Sequence, residues 1–166
     1  MIHLELAVAI LAFVTLQRLA ELAIARRNTR RLLARGAYQV GAGHYPLIVV
    51  LHGAWLAGLW WLALGRPLIW PFAAAYFLLQ PLRLWVLASL GGRWTTRIII
   101  LPGAPLVRSG PFRLLRHPNY AIVVAEIALL PLAFGLWEMA VVFSLLNAAI
   151  LAIRIRAEER ALRVVA

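Results

Sequence analysis

The sequence predicts an all-α, polytopic integral membrane protein with five transmembrane helices. Apolar residues make up 64% of the 166 positions and charged residues only 14%, whereas a soluble domain is about half apolar and about a quarter charged. The apolar residues fall into five long runs that Arg, Gly and Pro interrupt. A chain of this length is expected to form one domain.

Each run is assigned from its length, because a membrane helix needs ~20 predominantly apolar residues. The predicted spans cover residues 2–24, about 45–64, about 68–90, about 120–136 and about 138–155. The single domain 1–166 thus divides into three N-terminal spans in residues 1–90 and a C-terminal part, 91–166. That part holds a polar, turn-rich segment, 91–119, a helical hairpin and a short basic tail. Span four contains Pro131, so it is expected to kink or to end early.

Positive charge is clustered in segments that alternate with the predicted spans. All 17 basic residues are Arg, and the net charge is +11. Residues 26–35 and 91–119 contain five Arg each and residues 154–163 contain four, whereas only Arg66 falls on the opposite side. Because positive charge marks the cytoplasmic side of a membrane, we predict an outside N-terminus and a cytoplasmic C-terminus. The charge therefore indicates topology, and no nucleic-acid partner is expected.

The composition also excludes several chemistries. With no Cys the chain has no disulfide or thiolate chemistry, and with no Asp and four scattered His we expect no metal site. Residues 1–24 lack a basic start and a small-residue cleavage site, so no cleavable signal peptide is expected. The Arg- and Ala-rich composition is typical of a GC-rich bacterial genome, and we expect the bacterial inner membrane.

Several polar side chains fall inside the predicted spans, where burial without a partner is costly. Arg18 and Glu21 lie three residues apart and are expected to pair on one helix face. Arg83 lies about two turns before the end of span three and is expected to snorkel to that surface. Glu126 either lines a site or ties helices together. His52 is either a base or orienting group for a buried substrate, or a neutral side chain bonded to a neighbouring helix.

The start of span two carries further candidate substrate contacts, His44 and Tyr45. Tyr45 and His52 are seven residues apart, so they share a helix face. In span five, Asn147, Arg154 and Glu158 stand at i, i+7 and i+11, which places them within about 20° of one another. Such a stripe indicates a lined cavity. An Arg154–Glu158 ion pair would explain two of its members but leaves Asn147 unexplained.

His117-Pro118 marks the predicted start of span four. Pro favours the first turn of a helix and extends the residue before it, so His117 is expected beside free backbone N–H groups that bind anions. Arg113 and Arg116 add positive charge there, and Glu158–Glu159 at the end of span five offer carboxylates to a cation. Together these groups suit a zwitterion, such as an amino-acid-bearing cofactor.

Two segments in combination resemble a known family. Residues 110–120 read Gly-Pro-Phe-Arg-Leu-Leu-Arg-His-Pro-Asn-Tyr, and residues 154–162 read Arg-Ile-Arg-Ala-Glu-Glu-Arg-Ala-Leu. With an apolar hairpin between them, they resemble the isoprenylcysteine carboxyl methyltransferase family over roughly residues 91–163. Its members are integral to the membrane and use S-adenosylmethionine, which implies a cytosolic cofactor pocket. Where the family commonly has a Gly shortly after the Tyr, Ala121 and Ile122 stand here.

The resemblance implies roles for individual residues. The positions it assigns to the cofactor are Arg116, His117, Pro118, Tyr120 and one or both of Glu158 and Glu159. The resemblance also implies that Arg154 faces the methyl acceptor. From the chemistry of methyl transfer we further expect Arg154 to stabilise the oxyanion of an acidic acceptor, and His52 or Glu126 to take a proton if the acceptor is neutral.

Residues 38–46, Tyr-Gln-Val-Gly-Ala-Gly-His-Tyr-Pro, resemble a bacterial branch often associated with type III polyketide synthases. That resemblance implies O-methylation of a phenolic lipid or alkylpyrone that enters from the bilayer. The alternatives are a prenylcysteine-type carboxyl methyltransferase, an NADPH-dependent membrane lipid reductase and a non-enzymatic membrane scaffold. A scaffold explains the apolar helices but leaves the paired polar segments unexplained.

Overall fold

The structure, a computed structural model, describes residues 1–165, and five α-helices account for most of them. Two short strands and three 3-10 turns, Ala42–His44, Gly91–Arg93 and Gly110–Arg113, join the helices. The helices are α1 Ile2–Leu33, α2 Tyr45–Leu62, α3 Trp70–Leu90, α4 Pro118–Ala133 and α5 Trp137–Val165.

Four of these helices, α1, α2, α3 and α5, are long and apolar enough to cross a membrane. The fourth predicted span corresponds to α4, which has 16 residues and a length of about 24 Å, less than the ~30 Å hydrocarbon core. It ends at Ala133, two residues after Pro131, and Gly135 with φ +67° turns the chain into α5. The structure therefore confirms a helical membrane protein, with four helices of spanning length and a shorter fifth in the hairpin.

The three Arg-rich segments meet at one end of the bundle. Strand β1, Tyr38–Val40, follows α1 and pairs antiparallel with strand β2, Ile98–Ile100, which follows α3. Near the end of α5, Arg154 donates a hydrogen bond to the Thr96 carbonyl at 2.9 Å. This arrangement confirms the alternation predicted from the charges. We call the end formed by residues 26–44, 91–119 and 154–163 the arginine-rich end; its assignment to the cytoplasm stays a prediction.

The two strands were not predicted. Strand β2 lies in residues 91–119, which were expected to form a polar, turn-rich segment, and β1 lies in the connection before the second predicted span. Each strand has only three residues, too few for a periodic pattern to indicate a strand. The strands belong to connecting segments that are 58 residues apart in the sequence, and their pairing holds these two segments together at the arginine-rich end.

Two apolar clusters form the core. The larger one packs α1 residues up to and including Val14 against Trp55, Leu59, Tyr76 and Phe134. The smaller one lies towards the arginine-rich end and consists of the buried side chains of Ala25, Val86, Trp94 and Ile122. Between them, on α1, α3 and α4, lies a layer of buried polar side chains. Many large apolar side chains face outwards, as Leu16 and Leu78 do, which suits a lipid-facing surface.

Candidate functional site

Four charged side chains form a buried cluster at the polar layer. Arg83 binds both carboxylates, with Nε 2.5 Å from Glu21 and Nη1 2.7 Å from Glu126. Arg18 Nη2 lies 2.7 Å from Glu126, and its Nη1 lies 3.5 Å from Glu21. Two Arg and two Glu sum to zero formal charge. We call this set of Arg18, Glu21, Arg83 and Glu126 the ion cluster.

The prediction that Arg83 snorkels was wrong. Its side chain is only 4% exposed and is held by Glu21 and Glu126, because a charge in the low-dielectric interior is stabilised best by a directly bonded partner. The predicted pairing of Arg18 with Glu21 is confirmed, at 3.5 Å. The strongest contacts of both residues are made to other helices.

Glu126 has no exposed surface and accepts hydrogen bonds from Arg18, Arg83 and, at 3.1 Å, Gln80. Of the two predicted alternatives, the geometry is that of a tie between α1, α3 and α4. Glu126 lies six residues beyond Tyr120 on α4, about 9 Å along the helix axis. Its predicted part in proton transfer stays a prediction.

His52 also faces the ion cluster. Its Nδ1 lies 2.8 Å from the Ile48 carbonyl of the preceding turn, and the ring is close enough to Arg18, Arg83 and Glu126 to interact with their charges. The structure thus groups two of the three predicted catalytic residues, His52 and Glu126, away from the third, Arg154.

Arg154 belongs to a second polar group at the arginine-rich end. Tyr120 donates its hydroxyl proton to the Glu158 carboxylate and accepts a hydrogen bond from Arg154 Nε at 2.9 Å. Arg154 Nη2 donates to the Thr96 carbonyl, also at 2.9 Å. We call Thr96, Tyr120, Arg154 and Glu158 the Tyr120–Arg154 site.

The three residues of the predicted stripe on α5 face inwards, while the cavity that they were predicted to line stays a prediction. Asn147 and Arg154 are buried and Glu158 is half-buried. The proposed direct Arg154–Glu158 ion pair is absent from residues 1–165, because the Tyr120 hydroxyl lies between the two groups. Asn147 lies two turns deeper, about 10 Å from Arg154 along the helix axis.

The predicted substrate residues of the second span join this site from the other side. Tyr45 Oη lies 3.1 Å from the Thr96 hydroxyl, and the Arg97 guanidinium lies 4.7 Å from the centre of the Tyr45 ring. His44 lies close enough to Arg154 to interact with its charge. Its ring covers Gly41, which has φ +63° and where a Cβ atom would overlap the imidazole.

The start of α4 matches the prediction, since the helix begins at Pro118. The His117 ring stacks on the Tyr120 ring with centres 5.2 Å apart and planes 19° apart. Glu159 Oε1 lies 3.7 Å from His117 Nε2 and 3.5 Å from Arg116 Nη1. Cofactor candidates from both arms of the hairpin therefore lie together.

Two buried polar atoms at this start, His117 Nε2 and Asn119 Oδ1, have no hydrogen-bond partner within residues 1–165. Buried polar groups are normally paired, so these atoms offer hydrogen bonds to a ligand. Arg113, the last residue of the preceding 3-10 turn, is exposed. That turn is fitted closely to α3, because Gly110 has φ +57° and a Cβ there would overlap the Ser89 hydroxyl.

Thr96 is the member of the site that sequence reasoning missed. It contributes a backbone carbonyl to Arg154 and a hydroxyl to Tyr45. The sequence gives little indication of this role, since Thr96 follows a second Thr in a polar connection. Every residue has a backbone carbonyl, so the residue type at position 96 does not indicate that its carbonyl binds Arg154.

Comparison with known proteins gives a family match and two relatives. Residues 72–164 match the model of the isoprenylcysteine carboxyl methyltransferase (ICMT) family. Uncharacterized protein YpbQ of Bacillus subtilis (strain 168) is 37% identical over 167 residues, which cover 93% of this chain and 95% of the relative. An uncharacterized protein of Haemophilus influenzae is 31% identical over 87% of this chain and 88% of its own. No solved structure matches significantly.

Proposed function

Because the chain belongs to the isoprenylcysteine carboxyl methyltransferase family, whose name describes methyl transfer, we propose that it is an S-adenosylmethionine-dependent O-methyltransferase. The acceptor we propose is the hydroxyl of a phenolic lipid or an alkylpyrone that enters from the bilayer. One observation carries the proposal: the Tyr120 hydroxyl joins Arg154 to Glu158 at the arginine-rich end. This bridge links the two arms of the hairpin that the family match covers.

The residues around this bridge fit an amino-acid-bearing cofactor. Arg113 and Arg116 precede the N-terminus of α4, where a carboxylate is favoured. Two buried atoms without partners, His117 Nε2 and Asn119 Oδ1, supply further hydrogen bonds. When bound, S-adenosylmethionine supplies an electrophilic methyl group on a sulfonium.

Of the two acidic residues, Glu159 is our candidate for the cofactor ammonium. Its carboxylate pairs with Arg116 at 3.5 Å and lies 3.7 Å from His117, and it accepts no hydrogen bond within the part of the chain that the structure describes. Glu158 is instead engaged by the Tyr120 hydroxyl. We therefore assign Glu159 to binding and Glu158 to positioning Tyr120.

We propose that Arg154 acts on the acceptor oxygen. Its guanidinium has five N–H donors, of which the contacts with Tyr120 and Thr96 use two. The remaining donors are free to bind an anionic oxygen, as an oxyanion hole does. Since Thr96 is itself bonded to Tyr45, the guanidinium is held from both sides and aligned before the acceptor arrives.

A phenol or an enol suits this arrangement because, once its hydroxyl proton has passed to water, it presents an anionic oxygen to Arg154. Transfer of the methyl group to that oxygen then leaves S-adenosylhomocysteine. Such an acceptor needs no base beside the guanidinium, and we assign Glu126 to the ion cluster, and His52 to its surroundings, rather than to the reaction. Asn147 is buried two turns deeper on the same face of α5, and we propose that it contacts the acceptor further inside. Acceptors of this kind are what a type III polyketide synthase would supply, and we propose a functional association with one.

The first test is calorimetric binding of S-adenosylhomocysteine to protein purified in detergent, with NADPH as the comparison ligand. We expect binding of S-adenosylhomocysteine alone. Glu159→Gln should weaken that binding about tenfold or more, because a charge-assisted hydrogen bond is lost. Glu138→Gln, at the opposite end of α5, is the matched control and should bind normally. Exclusive binding of NADPH would overturn the proposal in favour of a reductase.

The second test is transfer of a labelled methyl group to a panel of phenolic lipids, alkylpyrones and prenylcysteines. Arg154→Ala should lower turnover about a hundredfold or more and leave affinity for S-adenosylhomocysteine within about threefold. Arg66→Ala, which removes a cation at the other end of the bundle, should leave turnover unchanged. Turnover that survives Arg154→Ala would assign this guanidinium a structural role, and exclusive methylation of prenylcysteine would refute the hydroxyl acceptor.

A further inference from the structure

A second site is suggested by a cavity of about 620 Å³ at the arginine-rich end. Arg31 and Arg35 line it from the end of α1, and Arg93 lines it from the turn after α3. No carboxylate contributes to the lining, and none of the residues that we assign to the cofactor or the acceptor does so either.

Membrane topology explains Arg31 and Arg35 only in part. Cations are favoured at a helix C-terminus, where Arg31 lies, but two like charges on one wall of a cavity repel each other. Topology also gives no reason for Arg93 to face the same cavity from another segment. Within residues 1–165, none of these three side chains forms an ion pair. Their combined charge is therefore available to an anion.

The walls of the cavity are held in place by contacts outside it. Asn28 is buried on α1 and donates to the carbonyls of Gly91, at 3.1 Å, and Trp94, at 2.9 Å. These bonds fix the end of α1 to the turn that carries Arg93. Arg93 itself donates through Nη1 to the Pro105 carbonyl, which leaves its other N–H groups for a ligand.

The remaining lining is apolar and includes Leu32 and Leu90. A site with several guanidinium groups above apolar walls suits a phosphoryl group attached to an acyl chain, since Arg binds phosphate oxygens in a bidentate manner. Basic pockets between membrane helices on the cytoplasmic side are known to bind the head groups of anionic lipids.

We propose that the cavity between Arg31, Arg35 and Arg93 binds a phosphoryl oxyanion. An anionic phospholipid of the surrounding leaflet and free phosphate both carry this group. The apolar walls favour the lipid. This site is separate from the Tyr120–Arg154 site and does not depend on the proposed methyl transfer.

The test compares three probes on the full chain in a neutral detergent: dioctanoyl phosphatidylglycerol, dioctanoyl phosphatidylcholine and inorganic phosphate. Binding is measured by native mass spectrometry and by calorimetry. The cavity variant is Arg31→Gln with Arg35→Gln. Its matched control is Arg26→Gln with Arg27→Gln, which removes the same charge from exposed positions of the same helix outside the cavity lining.

We expect the wild type to prefer phosphatidylglycerol to phosphatidylcholine. Each arginine near an anionic group contributes roughly fivefold to affinity, so the cavity variant should bind about thirtyfold more weakly, and the control pair less than threefold more weakly. Arg93→Gln, which changes a single side chain outside the long helices, should weaken binding about fivefold and serves if the double variant does not fold.

Inorganic phosphate distinguishes the two sources. If phosphate binds and depends on the same three arginines while phosphatidylglycerol binds no better than phosphatidylcholine, the site is a phosphoryl site for a soluble ligand. Equal weakening by the cavity and control pairs would overturn the proposal, because only net charge would then matter. Failure of the wild type to bind either anionic probe would overturn it as well.

Discussion

Replacing Glu126 by Gln tests the ion cluster most directly. The carboxylate is fully buried and accepts hydrogen bonds from Arg18 and Arg83, both at 2.7 Å, and from Gln80 at 3.1 Å. Gln keeps the shape but removes the charge, so the cluster changes from neutral to a net charge of +1. Removing one partner of a buried ion pair costs about 3–5 kcal/mol. We expect Glu126→Gln to lower the free energy of unfolding by that amount.

The assay is reversible unfolding by dodecyl sulfate in mixed micelles, followed by far-UV circular dichroism. Glu138→Gln is the control, because this exposed side chain in the first turn of α5 should change stability by no more than about 0.5 kcal/mol. A second variant combines Glu126→Gln with Arg83→Met, which leaves Arg18 and Glu21 as a neutral pair. We expect the double variant to be more stable than additivity of the single changes predicts, by about 1–3 kcal/mol.

Two results would refute this reasoning. If Glu126→Gln unfolds like the wild type, the cluster is screened by water and the buried pairs contribute little. If the energies of Glu126→Gln and Arg83→Met simply add, the two side chains do not act as one unit, and the contacts between them lack the strength that their geometry indicates.

Three further predictions concern the arginine-rich end. Tyr120→Phe removes the hydroxyl between Arg154 and Glu158 and should lower labelled methyl transfer about tenfold to a hundredfold. Its affinity for S-adenosylhomocysteine should stay within about threefold of the wild type. Unchanged turnover would contradict the positioning role of Tyr120. Gly110→Ala should cost about 1–3 kcal/mol of unfolding free energy, because φ is +57° and the added Cβ would overlap the Ser89 hydroxyl. A second change, Ser89→Gly, should recover the part of this loss that comes from the overlap. If it recovers none, the overlap is not a cause of the loss. Asn28→Leu removes the amide that donates to the carbonyls of Gly91 and Trp94. It should lower the free energy of unfolding in dodecyl sulfate by about 1–3 kcal/mol. An unchanged free energy would show that water replaces the amide.

The parts of the fold that depend on local sequence were predictable. Apolar runs of sufficient length gave the helices, and Pro118 marked the start of α4 correctly because its ring favours the first helical turn. The three Arg-rich segments were expected at one side, and the pairing of Tyr38–Val40 with Ile98–Ile100 confirms that two of them meet. These features follow from neighbouring residues and from charge spacing, which a sequence displays directly.

The partners of the intramembrane charges were not predictable from local spacing. Arg83 binds Glu21 and Glu126, which are 62 and 43 residues away in the sequence. Its position near the end of span three had instead predicted a side chain that reaches the membrane surface. One available signal was the charge balance: the spans hold two Arg and two Glu at similar depth, and each is too costly to leave unpaired. A pairing argument over whole spans would have placed Arg83 correctly.

The candidate site was predictable in its side chains but not in its connections. Tyr120, Arg154 and Glu158 were all selected, yet the hydroxyl bridge between them replaces the direct ion pair that their spacing suggested. Thr96 was missed because its carbonyl, a group that every residue carries, makes the contact with Arg154. Such contacts depend on how distant segments pack, which spacing along one helix does not encode.

Helix α4 contributes Glu126 to the ion cluster and Tyr120 to the Tyr120–Arg154 site. Damage to the cluster is therefore expected to affect the site, whereas damage to the site is not expected to affect the cluster. Glu126 fixes α4 against α1 and α3 about 9 Å along the helix from Tyr120. Loosening the cluster should therefore also displace Tyr120 and reduce turnover. Arg154 lies at the far end of α5, outside both apolar clusters, and donates to the Tyr120 hydroxyl and the Thr96 carbonyl. Arg154→Ala should therefore remove activity and cost about 1–3 kcal/mol of unfolding free energy, less than Glu126→Gln. If Glu126→Gln destabilised the protein but left turnover unchanged, the position of Tyr120 would not depend on the contacts that Glu126 makes.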